Sequence, residues 1–436
     1  MKKRFSLGIA AVVLIGALGT VVFSWLQQKK ADQSERQFLP LPVAEVPVIE
    51  PPAESPADVP AEPPQTATER VVEETPTYFP PPSVDLTGGK IGNQRVPGTD
   101  AIGDVYQVYF HNPTQSLYMA VIEPDDMRSI WRLPENGKPV RVFAANQQRG
   151  EIRIMGDGKG VMYVQFNNPS RMYRTGDAFK TWHLVREGAD MFWQIADDGK
   201  GNVYGTLHSF NQPILYRSPD DGFSWEPWID FQKIFPEYAV QYAPDDQRFK
   251  LRHLHGVLYN DKNDQLIVGT GDIARFTFAS SDGGNSWRKV WDEGFTAATA
   301  MSGGNRYLLC PDRLRAAGIA IYDLWADTTT DVFRPAKYNF AGYCYSIIND
   351  NGIYYAAFHT EANETVSVVP KSGIVVSPDG VNWYPFLEWE PTTNHARTNI
   401  WLASAPARIY ASLNAALYAF KPLDRDWFED KTPFAK

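Results

Sequence analysis

Residues Ser218-Pro219-Asp220-Asp221-Gly222-Phe223-Ser224-Trp225 place an aspartate, a glycine and a closing tryptophan at a spacing that returns along the chain. One further copy is complete, one is a residue shorter, and one has phenylalanine at the glycine position: Ser280-Ser281-Asp282-Gly283-Gly284-Asn285-Ser286-Trp287, Ser377-Pro378-Asp379-Gly380-Val381-Asn382-Trp383 and Thr175-Gly176-Asp177-Ala178-Phe179-Lys180-Thr181-Trp182. Asp and Ser side chains accept hydrogen bonds from nearby backbone N–H groups, and glycine supplies the positive φ of a tight turn. The tryptophan anchors the turn by burying its ring. We call these four segments the Trp-closed turns, and their chemistry predicts hairpins rather than catalysis.

The Trp-closed turns resemble the Asp-box, also called the BNR repeat, of the sialidase-like superfamily of β-propellers. Two full and two degraded copies at blade-like spacing indicate this fold. The resemblance covers about three quarters of the chain as repeat architecture, whereas identity at the level of a specific motif is confined to the turns. It implies an all-β propeller and does not by itself imply an activity.

The catalytic residues of sialidases do not transfer to this sequence. The family uses an arginine triad, a Tyr/Glu nucleophile pair and an Asp acid/base, and it carries an Arg-Ile-Pro motif before the first Asp-box. The nearest match here is Trp131-Arg132-Leu133-Pro134, which the repeat alignment places on a blade strand.

Two rows of recurrent positions predict the number of blades. The first row is expected on the second strand of each blade and comprises Tyr118, Tyr163, Tyr204, Ile267, Tyr307, Tyr355 and Tyr410. The second row is expected on the third strand and comprises Trp131, Tyr173, Tyr216, Phe278, Tyr322, Val375 and Tyr418. Spacings of 40 to 63 residues between units of four short strands predict an all-β, seven-bladed β-propeller, with six or eight blades as alternatives. Residues 84–103 are a candidate for the strand that closes the ring.

The sequence divides into three parts: a signal-anchor segment at 1–30, a linker at 31–100 and the propeller at 101–436. Lys2, Lys3 and Arg4 precede an apolar run from Leu7 to Leu26, which is long enough to span a bilayer as a helix. We favour an uncleaved signal-anchor over a cleaved signal peptide. The positive N-terminal charges predict a single-pass protein of the inner or plasma membrane, with its C-terminal domain periplasmic or extracellular.

The linker has the composition of an extended, solvated chain. Thirteen prolines lie between Pro40 and Pro82, and residues 31–100 carry twelve acidic and four basic side chains. Such a segment cannot bury a core, and in the polyproline II form it would span on the order of 100 Å. We interpret it as a spacer, with a PxxP ligand as the alternative.

Composition also limits the partners and the cofactors. A formal charge of −9 argues against nucleic acid as a partner, because a phosphate-binding protein shows a basic face. Cys310 and Cys344 are the two cysteines, and they can pair in an oxidising compartment without forming a disulfide framework. No CxxC or HExxH spacing of a zinc site occurs in the sequence.

Candidate site residues lie where second strands end and first strands begin, because these positions meet on one face of a propeller around its central channel. We call this region the mouth. The candidate catalytic residues are His255, Asp272, His208, His359 and Arg397, and the candidate ligand-binding residues are Arg252, His253, His255, Asp272, Arg275, His208, His359, Trp193 and Trp401.

Each candidate has a structural alternative. His253 and His255 alternate along a strand and point to one side of it, so with Asp272 they can bind a divalent metal ion or perform acid–base chemistry; packing, or a turn role for Asp272, explains them equally well. Arg275 suits a carboxylate ligand or the solvent. Aromatic residues such as Trp193 and Trp401 can stack on sugars or pack between blades. The insertion at 231–248 is either a cover of the mouth or a surface loop.

Two classes of function fit these features. The first is a membrane-tethered envelope module that binds a polysaccharide or an envelope protein and acts in assembly, and the sequence favours this reading. The alternative is a carbohydrate-active enzyme, either a glycoside hydrolase or a polysaccharide lyase, with its site among the histidines at the mouth. Side chains converging in one cleft would distinguish the enzyme from the binding module.

Overall fold

The computed structural model describes fourteen segments of the chain, and the structural statements below concern these residues: 96–99, 101–135, 137–145, 150–157, 159–167, 170–188, 190–209, 212–239, 250–312, 318–334, 342–359, 372–389, 400–413 and 415–434. The signal-anchor segment and nearly all of the linker lie outside them, as does Arg397. Within the described segments, no helix combines the length and the hydropathy needed to cross a membrane.

Seven antiparallel sheets follow one another along the described chain, which confirms the prediction of a seven-bladed β-propeller. The first four blades comprise β1 (Asp104–His111), β2 (Ser116–Ile122), β3 (Arg128–Pro134) and β4 (Val140–Ala145); β5 (Ile152–Gly156), β6 (Met162–Phe166), β7 (Ser170–Thr175) and β8 (His183–Gly188); β9 (Phe192–Asp197), β10 (Val203–Leu207), β11 (Ile214–Ser218) and β12 (Glu226–Asp230); and β13 (Leu254–Asn260), β14 (Gln265–Thr270), β15 (Thr277–Ser280) and β16 (Arg288–Trp291). The last three comprise β17 (Phe295–Ala300), β18 (Arg306–Pro311), β19 (Ile319–Asp323) and β20 (Thr328–Phe333); β21 (Tyr343–Asp350), β22 (Ile353–His359), β23 (Ser372–Ser377) and β24 (Tyr384–Trp389); and β25 (Trp401–Ala405), β26 (Arg408–Leu413) and β27 (Ala416–Phe420).

Helical structure among the described residues is limited to single turns. These are α1 (Phe231–Ile234) and the 3-10 turns Asn112–Thr114, Pro236–Tyr238 and Arg425–Phe428. Asp230 is the N-cap of α1, because its side chain accepts a hydrogen bond from the backbone N–H of Gln232.

Both rows of recurrent residues lie on the strands that the sequence predicts for them. Each first-row residue is on the second strand of its blade and each second-row residue is on the third. Many of these side chains are fully buried between neighbouring blades, including Tyr118, Tyr163, Tyr307, Tyr322 and Tyr355. The rows recur because every blade must bury a large side chain against the next one.

The first strands of successive blades lie side by side around the axis, from β1 through β25 and back to β1. The seventh sheet has three described strands. The backbone N–H of Val96 donates to the carbonyl of Leu417 on β27 at 2.8 Å, so the segment ahead of the first blade lies against the last one. The described part of the predicted closing segment is therefore at the position where a propeller ring closes.

Each Trp-closed turn joins the third and fourth strands of its blade, as predicted. In the first one, Asp220 accepts from the backbone N–H of Ser224 at 2.8 Å, and the indole Nε1 of Trp225 donates to Gly222 at 3.2 Å. The turns also contact the neighbouring blade. Gly222 lies so close to Tyr163 of the preceding blade that a Cβ on it would be 1.9 Å from the tyrosine hydroxyl. Glycine is thus needed both for its φ of 85° and for this close approach.

Phe179 takes the place of glycine in the degraded turn and still adopts a left-handed φ of 74°. Its ring stacks on Tyr118 at 4.7 Å and meets Trp182 at 4.5 Å. Burial of the ring between two blades offsets the backbone strain of this conformation, which costs on the order of 1 to 3 kcal/mol. The degraded copy is therefore a functioning turn with a different means of anchoring.

The described half of the insertion packs on the fourth blade. Phe235 stacks on Phe278 at 4.4 Å, and Tyr238 meets Phe276 at 4.5 Å. Residues 231–239 thus extend the core of that blade; residues 240–248 of the insertion lie outside the described segments, and the prediction that it covers the mouth stays a prediction.

Candidate functional site at the propeller mouth

Five ionisable side chains from three consecutive blades meet at the mouth. His208 follows β10, His253 and His255 are at the start of β13, Asp272 follows β14, and Asp312 follows β18. We call these five residues the mouth cluster. Four of them are sequence candidates, and Asp312 joins them because it occupies in its blade the strand-end position that Asp272 occupies in the fourth blade.

A β-bulge aims His255 into the cluster. The pairing of β13 with β14 shifts register between Leu254 and Gly256, so His255 is the extra residue. A bulge bends the strand and redirects a side chain, and bulges are common beside functional sites. Gly271 lies directly against this ring, since a Cβ there would be 2.1 Å from Nδ1 of His255.

The nitrogen and oxygen atoms of three residues converge on one point. Nε2 of His253 and Nε2 of His255 are 3.0 Å apart. Oδ2 of Asp272 is 3.1 Å from the former nitrogen, and Oδ1 is 3.8 Å from the latter. The two imidazoles are almost fully buried, whereas the Asp272 side chain is 37% exposed. The carboxylate therefore connects the buried histidines to the solvent.

A second layer of contacts fixes the orientation of these three residues. Nδ1 of His253 lies 3.2 Å from the carbonyl oxygen of Ser209, and Nδ1 of His255 lies 3.3 Å from Oδ2 of Asp312. Asp312 also accepts a 2.8 Å hydrogen bond from the backbone N–H of Asp272. Each imidazole thus has one nitrogen turned to an acceptor and the other turned to the point of convergence.

An arginine contacts each of the two aspartates, one through the carboxylate and the other through the backbone. Nη1 of Arg252 is 3.0 Å from Oδ2 of Asp272, and Nη1 of Arg275 donates to the carbonyl oxygen of Asp312 at 2.7 Å. Asp272 itself has a left-handed φ of 65°, which is uncommon for a residue other than glycine. This backbone conformation turns its carboxylate back toward the first strand of the same blade.

The environment pushes the pKa values of the three histidines apart. Burial lowers the pKa of His208 well below its ordinary value, and the neighbouring charges of His253 and His255 lower it further. Burial also lowers the pKa of His253 against the opposing hydrogen bond of Asp272. Burial acts in the same sense on His255, but the charge of Asp312 outweighs it, and the pKa of His255 is raised. Such divergent values are a feature of acid–base sites.

The pKa of Asp272 is lowered. Burial raises it, but the hydrogen bond from His253 and the charges of His253, His255 and Arg252 outweigh burial. Asp272 is accordingly a carboxylate at neutral pH and presents an anionic oxygen at the opening of the cluster.

Trp193 supports the imidazoles. Its indole stacks on His208 at 4.6 Å and on His255 at 5.5 Å, while the guanidinium carbon of Arg153 lies 3.8 Å over the ring. The indole therefore packs against the histidines, and its stacking on a sugar stays a prediction.

The remaining candidates lie apart from the point of convergence. His359 is fully buried at the end of β22 and packs on Tyr345 at 4.6 Å, and Tyr345 in turn meets Trp193 at 5.4 Å. Trp401 packs in the apolar cluster between the first and last blades. Arg275 contacts the mouth cluster through its hydrogen bond to the backbone carbonyl of Asp312.

Sequence reasoning missed Arg153 and Tyr345. Arg153 is a lone charged residue inside the apolar strand Ile152-Arg153-Ile154, and this isolation is a signal that it has a specific partner. Tyr345 sits at a bulge at the start of β21, as His255 does in β13. A bulge leaves no mark in the hydrophobic pattern of these strands, so this signal is absent from the sequence.

Two overlapping groups of the mouth cluster have the spacing of metal ligands. His208, His253 and His255 each offer one ligand atom within 4.8 Å of the others, and so do His255, Asp272 and Asp312. Imidazole nitrogens and carboxylate oxygens together suit transition metal ions.

Comparisons with known proteins give the fold and no family. No family profile matches the sequence, and no curated protein matches it. The Niastella koreensis GH74 enzyme superposes with a TM-score of 0.52 at 13% identity, over 73% of this chain and 52% of that one. The GH74 xyloglucanase from Xanthomonas campestris superposes with a TM-score of 0.51 and the same identity and coverage. This chain therefore spans about half the length of these two enzymes.

A third similar structure is Kuenenia stuttgartiensis hydrazine synthase, with a TM-score of 0.50 at 10% identity, over 75% of this chain and 99% of that one. At such low identity the shared feature is the backbone architecture. The chain is a seven-bladed β-propeller, and its activity has to be argued from its own mouth cluster.

Proposed function

We propose that this protein is an enzyme that cleaves an acidic polysaccharide at the mouth of its propeller. The observation that carries the proposal is the convergence of His253, His255 and Asp272, whose nearest nitrogen and oxygen atoms are 3.0 to 3.8 Å apart, with His208 stacked on His255 at 5.3 Å. The sequence alone favours a binding module. A site that only holds a glycan has no need for three imidazoles and two carboxylates in one cluster.

The chemistry of the cluster suits β-elimination in a uronate-containing chain. In that reaction a base removes the C5 proton, the C4–C5 double bond forms, and the C4–O bond breaks as the leaving oxygen takes up a proton. His208 is suited to be the base, because its lowered pKa keeps its imidazole neutral. Arg252, at the opening of the cluster, offsets the negative charge of the uronate carboxylate.

A polysaccharide panel tests this function on the full-length protein in detergent. We expect uronate-containing polymers, and not neutral ones, to yield products with the ultraviolet absorbance of an unsaturated sugar. His208→Ala should lower this rate by about 10²- to 10⁴-fold, because it removes the proton acceptor. His183→Ala is the matched control, since His183 is exposed on β8, outside the mouth cluster.

Other outcomes of the panel identify the alternatives. New reducing ends without ultraviolet absorbance would show that the reaction is hydrolysis and not elimination. Retained binding of a glycan or an envelope protein, with no cleavage of any polymer, would overturn the enzyme and leave an assembly module.

We infer that the Trp-closed turns are Asp-boxes and that the chain is a divergent member of the sialidase-like superfamily. Support comes from the hydrogen bonds that the turns share: Asp220, Asp282 and Asp379 each accept from the backbone N–H of the residue before the tryptophan, at 2.8 to 2.9 Å. In each of these three turns the indole also donates to a glycine carbonyl.

We further propose that residues 1–30 anchor the protein in the inner or plasma membrane and that the propeller is periplasmic or extracellular. The apolar run behind Lys2, Lys3 and Arg4 supports the anchor, and the proline-rich composition of the linker supports a spacer. The proposal places the mouth within reach of envelope polysaccharides.

The cysteine pair reports on the compartment. Cys310 and Cys344 are buried thiols on neighbouring blades, with their sulfur atoms 3.0 Å apart, so an approach of about 1 Å is enough to form a disulfide. In an oxidising compartment we expect the bond to form and the unreduced mass to fall by about two hydrogens. The measurement is intact mass with and without reductant on protein from the native envelope, with Cys310→Ala as the control; two free thiols would argue against this location.

A further inference from the structure

A hydrogen bond determines which nitrogen of the neutral His253 ring carries the proton. The carbonyl oxygen of Ser209 can only accept, so Nδ1 of His253 carries a hydrogen. Nε2 of His253 therefore carries a proton only in the charged imidazolium, and in the neutral ring it presents a lone pair. An oxygen of the Asp312 carboxylate lies 3.3 Å from Nδ1 of His255, outside hydrogen-bonding geometry.

Nε2 of His253 faces Nε2 of His255 across 3.0 Å, and an oxygen of the Asp272 carboxylate lies 3.1 Å from Nε2 of His253. Three electron-rich atoms thus surround one point. A single proton can bridge only one pair of them, which leaves the third atom facing another acceptor at close range. A divalent cation satisfies all three at once.

The spacing also agrees with metal coordination. With metal–nitrogen distances of about 2.0 to 2.1 Å, two ligand atoms of a tetrahedral site lie about 3.3 Å apart. In the cluster the two Nε2 atoms are 3.0 Å apart, Oδ2 of Asp272 is 3.1 Å from that of His253, and Oδ1 of Asp272 is 3.8 Å from that of His255. We propose that His253, His255 and Asp272 bind a divalent transition metal ion, and that this ion is a resident part of the mouth.

The outer contacts have the form that metal sites use. Histidine ligands usually donate their second nitrogen to a carbonyl or a carboxylate, which fixes the ring and strengthens the ligand. Ser209 provides the carbonyl for His253, and a carboxylate oxygen of Asp312 lies 3.3 Å from the second nitrogen of His255. Arg252 in turn holds Asp272. Every proposed ligand therefore has an orienting partner.

The ligand types select the metal. Two imidazoles and one carboxylate favour zinc and similar transition metals over calcium and magnesium, which take mainly oxygen ligands. Three protein ligands leave a coordination position for water or substrate. The exposed side of Asp272 is where that position would open, beside the proposed base His208. The metal site does not depend on the proposed reaction, because binding is measured directly.

The experiment uses the full-length protein in detergent, stripped with a chelator and then dialysed against Zn²⁺. We expect about one zinc per chain by elemental analysis, and a rise in Tm that Ca²⁺ and Mg²⁺ do not reproduce. Asp272→Ala should lose the zinc; because this side chain is partly exposed, the variant should keep its fold, as circular dichroism can verify. His253→Ala should also lose the zinc, and His183→Ala should retain it.

Asp312→Asn provides a readout beyond the loss of a ligand. It keeps the three proposed ligands and weakens the partner of His255, so we expect zinc affinity to fall by about 10- to 100-fold. Zinc bound equally by wild type, Asp272→Ala and His253→Ala would overturn the metal site, as would an absence of binding in the wild type. Zinc binding without turnover would sustain the site and count against the proposed activity, whereas turnover by a wild type that binds no zinc would sustain the activity and overturn the site.

Discussion

His255→Ala should lower kcat/KM on an acidic polysaccharide by about 10²- to 10⁴-fold. One nitrogen of the side chain contacts His253 and the other faces Asp312. Its removal therefore leaves His253 and Asp312 without the residue that lies between them. It also removes a proposed ligand of the metal. The measurement is the initial rate over a range of substrate concentrations, with folding verified by thermal unfolding.

Gly271→Ala tests the same residue without deleting it. The added methyl would lie 2.1 Å from the His255 ring, and the remaining near neighbours of this Cβ are atoms of that same ring. The ring must therefore move, and a displacement of about 1 Å in a catalytic group costs on the order of 10²-fold in rate. His183→Ala, as an exposed histidine variant, should keep the wild-type rate. If both mouth variants turn over substrate at the wild-type rate, His255 has no part in the reaction.

Trp383→Ala should destabilise the propeller by about 3 to 5 kcal/mol. The indole is 1% exposed, and its Nε1 donates to the carbonyl of Gly380 at 3.1 Å. It belongs to an apolar cluster shared by the fifth and sixth blades, which includes Phe333 and Phe358. The substitution therefore opens a cavity between two blades and also releases the turn.

Urea unfolding followed by fluorescence and circular dichroism measures this loss. Trp325→Ala is the control, because that tryptophan is 80% exposed and its removal should change the free energy of unfolding by less than about 0.5 kcal/mol. Equal midpoints for the two variants would show that the closing tryptophan is not what holds the turn to the neighbouring blade.

The fold could be predicted because each repeat contains large side chains that are buried at equivalent positions. Large buried side chains such as Tyr163 and Tyr355 fill the space between sheets, and the aspartate of each Trp-closed turn follows the second-row residue of its blade by four positions. These requirements are local; the two rows recur seven times and the turn four times. Phe179 shows the limit of the pattern, since its left-handed φ is sustained by contacts with another blade that the turn sequence does not contain.

The candidate site could be predicted in part. Strand ends converge at the mouth of any propeller, so His208 and Asp272 follow from the repeat alone. Three other features depend on packing between blades. They are the bulge that turns His255 inward, the position of Asp312 beside it, and the contact of Arg153 with the Trp193 ring. Trp193 therefore supports the histidines, although its sequence position suits a sugar platform equally well.

The hydrogen bond from Val96 to Leu417 gives the ring a mechanical weak point. Six blades are built from consecutive strands, so each is held together by covalent chain as well as by its sheet. In the seventh, the segment that enters from the linker is attached to β27 from the far end of the chain, without a connecting hairpin. A pull on the N-terminal segment would act on this contact before it reached any other blade. We therefore expect tension along the linker to open the ring between the first and seventh blades.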